Sequence, residues 1–363
     1  MENMGLISDL RAAFKNKKVF LTGHTGFKGA WLLMLLHELG AEVKGYALPP
    51  DAQSLYVNLE GEKLCSSVLH DIRDLPILRQ EIHSFQPDFI FHLAAQPLVR
   101  VSYKFPLDTF DVNVMGTINV LETVRSLANR CIVVAITTDK VYENPETGAA
   151  FKEKDPLGGY DPYSASKAAA EIVIASYRNS FFNNEDFANH QKSVASARAG
   201  NVIGGGDWSE DRLIPDVMRA IFSKQKVSIR NPKAVRPWQH VIEPLLGYLI
   251  LAMRQSQQPQ RYNDAWNFGP RPENTRSVEE IVRDIISNIG EGEVAEDTSE
   301  HVHEAQLLRL DITKALQLGW TPLLSSEETI QWTVSWYKKT RDNSGRSYQI
   351  VSEQIQNYFN LLE

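Results

Sequence analysis

Lys18-Val19-Phe20-Leu21-Thr22-Gly23-His24-Thr25-Gly26-Phe27-Lys28-Gly29 decides the fold. A short apolar run feeds straight into three glycines spaced G-x-x-G-x-x-G. Ala30-Trp31-Leu32-Leu33-Met34-Leu35-Leu36 follows as a buried helix that ends at Gly40. Strand, glycine turn and helix in this order set a helix N-terminus and bare backbone amides against a pyrophosphate. Gly23 is expected to make the tight turn, Gly26 the close approach and Gly29 the helix–strand packing. The spacing is not the plainest dinucleotide fingerprint, G-x-G-x-x-G, so the strand–turn–helix context carries the reading. His24 and Lys28 can reach a phosphate from this turn or face solvent.

Outward from the turn, strand and helix signals alternate. Glu42 to Ala47, Asp88 to Leu93, Cys131 to Thr137 and Ser193 to Ala197 read as strands, the third a continuous apolar run of the doubly covered kind. Asp111 to Ala128 and Pro162 to Phe181 read as helices, with Pro162 suited to a first turn. The alternation predicts an α/β fold, a doubly wound parallel sheet with helices on both faces. Ligands of such sheets bind at the carboxyl ends of strands. After Gly200 the character changes, and Gly204-Gly205-Gly206-Asp207-Trp208 cannot continue a strand or helix. Residues 1–200 are therefore read as the dinucleotide-binding domain and 201–340 as mainly a smaller substrate domain. Part of 236–268 is expected to return to the sheet, with Trp266-Asn267-Phe268-Gly269 the candidate, and 341–363 is taken as a C-terminal tail. Ser277 with Glu280 forms a capping-box pattern ahead of a helix to Asn288, and a further helical pattern spans Glu327 to Lys339.

Composition sets limits. The chain of 363 residues is 43% hydrophobic, enough for one large or two moderate cores. A net charge of −7 gives no basic footprint for nucleic acid. No apolar stretch approaches the ~20 residues that span a membrane, and no signal-peptide pattern opens the sequence. A cytoplasmic protein is expected. Cys65 and Cys131 make no disulfide framework, and no Cys/His cluster has zinc spacing, so no metal is expected.

Tyr163-Ser-Ala-Ser-Lys167 places a phenol and an amine one turn apart on one helix face. An ammonium ~4 Å from the phenol at an effective dielectric of about 20 favours the phenolate by roughly 4 kcal/mol, on the order of three pKa units. A tyrosine so assisted can take a proton from a sugar hydroxyl. Thr138-Asp139-Lys140 closes the apolar run at Cys131 to Thr137 and falls on the same edge as the glycine turn. The end of the second strand, Gly45 to Pro50, carries neither the acid typical of NAD selectivity nor the arginine typical of NADP.

Thr22 to Gly29, His92-Leu93-Ala94-Ala95, Asp111-Val112-Asn113, Thr138-Asp139, Tyr163-x-x-x-Lys167 and Arg198-x-x-Asn201 together resemble the extended short-chain dehydrogenase/reductase family. The likeness covers roughly residues 15 to 340. Within the family, four stretches are similar to the nucleotide-sugar 4,6-dehydratases, in particular those acting on a cytidine diphosphate sugar. They are Thr22 to Gly29, Thr137 to Tyr142, Arg198 to Trp208 and Arg236-Pro237-Trp238-Gln239-His240-Val241.

The resemblance implies a Rossmann-type fold, NAD as a hydride acceptor that is regenerated within each turnover, and a nucleotide-glucose substrate. It also implies a product feeding deoxysugar synthesis for surface polysaccharide, including lipopolysaccharide O-antigen. Its catalytic positions fall on Thr138, Asp139, Lys140, Tyr163 and Lys167, with Asp139 the acid for elimination. Lys140 stands where the dTDP-glucose branch has a glutamate, and is either a proton carrier or a strand-end lysine pairing with a carboxylate or phosphate. The cofactor positions are Gly23, His24, Thr25, Gly26, Phe27, Lys28, Gly29, Asp71, Ile72, Leu93, Ala94, Ala95, Asn113 and Thr137, with Tyr163 and Lys167. Substrate positions are Asn201, Arg212, Arg236 and His303, Arg212 and His303 being open to an ordinary surface reading. The helices at Asp111–Ala128 and Pro162–Phe181 match those that pair across a dimer in the family, implying a homodimer or higher homo-oligomer, or pack internally. A nucleotide-sugar 4-epimerase would use the same Tyr163, Lys167 and Thr138 without needing Asp139 and Lys140. A non-enzymatic dinucleotide sensor would not need the Tyr–Lys pair.

Overall fold

The computed structural model describes residues 5–145, 147–229, 231–271, 274–296, 308–341 and 344–363, without the side chains of Arg236, Glu296 and Ser344. Seven strands form one parallel sheet: β1 (Lys18–Thr22), β2 (Glu42–Ala47), β3 (Ser66–Leu69), β4 (Phe89–His92), β5 (Cys131–Ile136), β6 (Lys192–Ala199) and β7 (Ala265–Phe268). Their spatial order is 7-6-5-4-1-2-3. The chain reverses direction across the sheet between β1 and β4, so the ligand crevice of this topology opens at the carboxyl ends of those two strands. The return of Ala265–Phe268 adds the edge strand beside β6.

Both faces of the sheet are covered, and side chains alternate between two cores as the period of a strand requires. Val19, Leu21, Phe89, Phe91, Ile132 and Val134 enter one core. Phe20, Ile90, Val133 and Val194 enter the other, against helices α2 (Leu75–Phe85), α3 (Gly116–Arg125) and α4 (Pro162–Ser180), the pair α3 and α4 lying side by side. The first core holds α1 (Phe27–Glu38) and α5 (Ile242–Gln257), and runs unbroken into α6 (Ser326–Thr340) and α7 (Ser347–Asn360). All eight residues from Gly29 to Leu36 are buried, because α1 lies between the sheet, α5 and α7. A helix apolar all round can sit only in such a place.

Three sequence expectations meet the structure here. The capping box at Ser277 is present, Glu280 Oε2 accepting the Ser277 amide at 2.7 Å, and Ser325 with Glu328 makes a second one ahead of α6. The 341–363 stretch is not a tail: α7 buries Ile350, Val351, Ile355, Tyr358 and Phe359, and its Ser352 and Gln356 hydrogen-bond Glu38 of α1. An amphipathic pattern alone could not say which surface it covers. The apolar run at β5 stops at Ile136, and the chain turns into a short 3-10 helix over Asp139–Val141. Thr138 and Asp139 are thereby released from the opposite-face rule of a strand.

Glu243, at the start of α5, is fully buried. Its Oε1 accepts the amides of Leu323 and Leu324 at 2.7 and 2.9 Å, whereas Oε2 has no partner among the described residues. Burial pushes this carboxyl up to about 7, the two amides pulling the other way. A raised carboxyl contributes stability that is complete below its unfolded value near 4.5 and is lost as pH rises toward 7. The loss is on the order of 3 kcal/mol for a shift of that size. Glu243→Gln keeps the accepting oxygen and removes the charge. Its melting temperature relative to the parent is expected to be higher at pH 8 and level at pH 4.5. Parallel melts at the two pH values check this.

Candidate active site

The glycine turn and the turn after β4 meet at the switch point. Gly23 has φ +76°, and a Cβ there would lie 2.8 Å from the Ala94 nitrogen. At Gly29 a Cβ would lie 2.0 Å from Gly23 O. No side chain fits at either position. Gly26 caps α1 in extended backbone with no side-chain cap, which leaves the first amides of the helix for an external anion.

The floor of this turn is a hydrogen-bonded chain. Thr22 Oγ1 accepts the amides of Leu93 and Ala94, each at 3.1 Å, so its own proton goes to His92 Nδ1 at 2.8 Å. His92 Nε2 then donates to Thr117 Oγ1 at 3.1 Å, and Thr117 donates to Asn113 O at 2.7 Å. Burial, with Lys167 adding to it, takes His92 down to about 3, so the ring is neutral and its tautomer is set.

One cavity of about 900 Å³ opens above, near the upper end of small-ligand sites. Gly23, Thr25, Gly26, Phe27, Lys28 and Gly29 line it on one side, with Leu93, Ala94 and Ala95 opposite. Asp71 and Ile72 line its far edge beside β2. Thr137, Thr138, Lys140, Tyr163 and Lys167 form its centre, and Asn201 and Arg212 lie beyond them.

Several expected residues lie elsewhere. His24 is buried, its Nε2 2.7 Å from Ser67 Oγ and its ring edge-on to Tyr56. It reaches neither a phosphate nor solvent, because Gly45 leaves the space that the imidazole fills. Asn113 is also turned inward. Its Nδ2 donates to Ser166 Oγ and Gln96 O, and its Oδ1 accepts the Gln96 amide, so it ties the turn after β4 to α4 and is buried away from the cavity. Arg236 lies on a short strand paired with Arg276, its side chain outside the described ones, and His303 lies outside the described residues.

Around the Tyr–Lys pair the chemistry is specific. Tyr163 hydrogen-bonds Thr138, whose hydroxyl donates to Asp139 Oδ1 at 3.0 Å. Since the threonine proton is committed to Asp139, the phenol donates to Thr138. Burial pushes Tyr163 up to about 12, the opposite of the depressed phenol expected from sequence. Here Lys167 Nζ donates to Ile136 O at 3.1 Å, and desolvation of a phenolate outweighs the help of the Thr138 hydrogen bond and of Arg212. Lys167 itself is taken down to about 8 by burial, with Glu171 opposing. Lys28 goes to about 8 as well, through burial and then Arg212, with Asp139 opposing. Asp139 is buried, and a Cβ at Gly200 would sit 3.0 Å from its Oδ2, a tight contact that glycine avoids. Arg212 is anchored by Asp207 at 2.9 Å, and the Gly204–Gly206 turn that carries Asp207 rests on Trp31 and Trp336.

Six cations, Lys28, Arg100, Lys140, Lys167, Arg212 and Lys226, thus line one cavity whose floor is a helix N-terminus, Arg100 and Lys226 being paired with Asp211 and Glu293. That arrangement suits a ligand set carrying several phosphates. Sequence reading missed Asp207, Glu171 and the far wall at Ser228, Asn231 and Trp238. Asp207 and Trp238 stood inside two of the stretches that carry the family resemblance, but neither was given a role there.

Comparison with known proteins places this geometry. The family model for GDP-mannose 4,6-dehydratase matches residues 20–333. The CDP-glucose 4,6-dehydratase of Salmonella typhimurium is 49% identical over 328 residues, 90% of this chain and 91% of that protein. The NAD complex of dTDP-glucose 4,6-dehydratase from Bacillus anthracis superposes with a TM-score of 0.74 at 22% identity, covering 90% of this chain and 98% of that one. UDP-glucose 4-epimerase from Thermotoga maritima, solved with UDP-glucose, has a TM-score of 0.73 at 20% identity over 90% of this chain and all of that one.

Proposed function

The chain belongs to the GDP-mannose 4,6-dehydratase family, and from that premise we propose that it is a CDP-glucose 4,6-dehydratase, a lyase that turns CDP-glucose into CDP-4-dehydro-6-deoxyglucose and water. The observation that carries the reading is one cavity uniting the glycine turn, the Tyr163–Thr138 pair and Lys140, in a chain half identical to an enzyme of that name. NAD fits the glycine turn and supplies a hydride acceptor that also returns the hydride. The second strand ends in Ala47 and Leu48 at the cavity, and Arg73 is committed to Asp71, Asp108 and Asp111, so no cation there favours a 2′-phosphate.

In this reading Tyr163 takes the proton of the 4-hydroxyl, Thr138 hydrogen-bonds the 4-oxygen, and Lys167 holds the charge that makes the phenol a base. Lys140 takes the proton from carbon 5 once carbon 4 is a ketone, and gives one back to carbon 5 when the hydride is returned to carbon 6. Asp139 gives a proton to the leaving 6-hydroxyl, which departs as water. Arg212, Asn201 and Arg236 meet the diphosphate. An epimerase would share the fold and Tyr163 but would return carbon 6 with its hydroxyl intact. Incubation with CDP-, dTDP-, UDP- and GDP-glucose, followed by mass, is expected to show loss of one water, fastest from the CDP sugar. An epimer of unchanged mass would sink the dehydratase reading.

The partner is a second copy of the chain. Leu107 is 84% exposed and Phe105, Ile172 and Phe181 are 60%, 60% and 45% exposed, all on or beside the α3–α4 face. An apolar patch of this kind on one side of a protein marks an interaction surface. Ile172→Asp is expected to halve the mass measured by light scattering at micromolar concentration. An unchanged mass would remove this face from the interface.

A further inference from the structure

Behind the cavity wall lies a charge pair that the steps above do not use. Glu171 is 1% exposed on α4, one turn after Lys167, and Arg198 is 3% exposed on β6. Glu171 Oε2 accepts Arg198 at 2.8 Å and Ser196 Oγ at 2.8 Å, while Oε1 accepts Thr137 Oγ1 at 2.6 Å. Arg198 also donates to Tyr142 Oη at 2.8 Å and to Glu153 O at 3.0 Å. Oε1 of Glu171 is therefore tied to Thr137, just after β5, and Oε2 to Ser196 and Arg198 of β6. A buried ion pair is weak evidence for stability, since well-packed apolar residues often serve as well. Its place beside the catalytic helix suggests a different use.

We propose that Glu171 is a positioning residue: its carboxylate, pinned by Arg198, Ser196 and Thr137, holds Lys167 in the protonated state that the Tyr163 base requires. This rests on the reaction assigned above. Lys167 is faced by Glu171 from its own helix, by Lys28 from α1 and by neutral His92 from β4, it lines the cavity together with Tyr163, and its Nζ donates to Ile136 O. Among the described residues, Glu171 is the carboxylate in that set. Burial drives Lys167 toward the neutral amine and the charge on Lys28 opposes a second cation, so a fixed anion is needed against both. Burial alone would push Glu171 up, but Arg198 and the two hydroxyls carry it below the usual carboxylate range, so it is charged throughout the working pH.

The sign follows directly. Removing the anion lowers the proton affinity of Lys167, so the ammonium is lost at lower pH and the alkaline limb of activity moves down. Trace acetylation at a series of pH values, read by mass on the Lys167 peptide, titrates the amine without substrate. In Glu171→Gln the titration and the alkaline limb of turnover are both expected about one pH unit lower, a tenfold fall in proton affinity. Because Glu171→Gln strands Arg198 and can unfold the protein, the double variant Glu171→Gln/Arg198→Met removes both charges and is expected to show the lowered titration too. Ser196→Ala removes one hydrogen bond, keeps the carboxylate and is expected to titrate like the parent. A double variant whose Lys167 titrates at the parental pH overturns the proposal and leaves the pair a purely structural one. A lowered titration in a protein that turns over none of the nucleotide sugars would instead overturn the assigned reaction and leave the placement of Glu171 standing.

Discussion

Tyr163→Phe is expected to keep the fold and lose roughly 10²- to 10⁴-fold in turnover of CDP-glucose, the scale of a lost general base. The ring is buried, and its hydroxyl contacts Thr138, so removing one oxygen leaves the packing in place. Burial holds the phenol near 12, five units above neutral pH, a gap worth about 7 kcal/mol. Lys167 and the substrate oxygen must close most of it when the sugar is bound. Steady-state rates and a melting curve of the variant check the prediction. An unchanged rate would remove Tyr163 from the role of base.

Asp139→Asn is expected to separate oxidation from elimination. The amide can still accept the Thr138 hydroxyl, so Tyr163 and Thr138 keep their geometry, but it has no proton to give the 6-hydroxyl. Stopped-flow absorbance should rise to about one reduced nicotinamide per site and persist, with water loss slowed by 10²-fold or more. Normal product formation by this variant would leave the acid unidentified.

The parallel sheet was legible because both of its faces are covered. Runs such as Phe89–His92 and Cys131–Ile136 carry no polar residue that could be mistaken for a solvent face, apart from the final histidine. Helix α5 was not legible for the same reason: buried all round from Ile242 to Met253 and interrupted by Pro244 and Gly247, it has no periodicity to read. Strand β3 is short and half-exposed, and gave no signal either.

At the site, the spacing of glycines fixed what the backbone must do, and the structure bears out the tight turn at Gly23 and the packing at Gly29. What sequence could not decide was which way a side chain turns. His24 and Asn113 sit in motif positions, yet packing against Tyr56 and hydrogen bonds to Gln96 and Ser166 use them up. The direction of the Tyr163 shift was misjudged because the helix spacing supplies the neighbouring charge but not the desolvation that opposes it.

The central claim is that one sugar loses a hydride at carbon 4 and regains it at carbon 6. CDP-glucose carrying deuterium at carbon 4 tests it directly, mixed with an equal amount of unlabelled CDP-glucose and followed by mass and deuterium NMR. The expected product carries the label at carbon 6 of the same molecule, with no exchange between labelled and unlabelled sugars and no net reduced cofactor released. Label retained at carbon 4, or reduced cofactor released in step with product, would contradict the account.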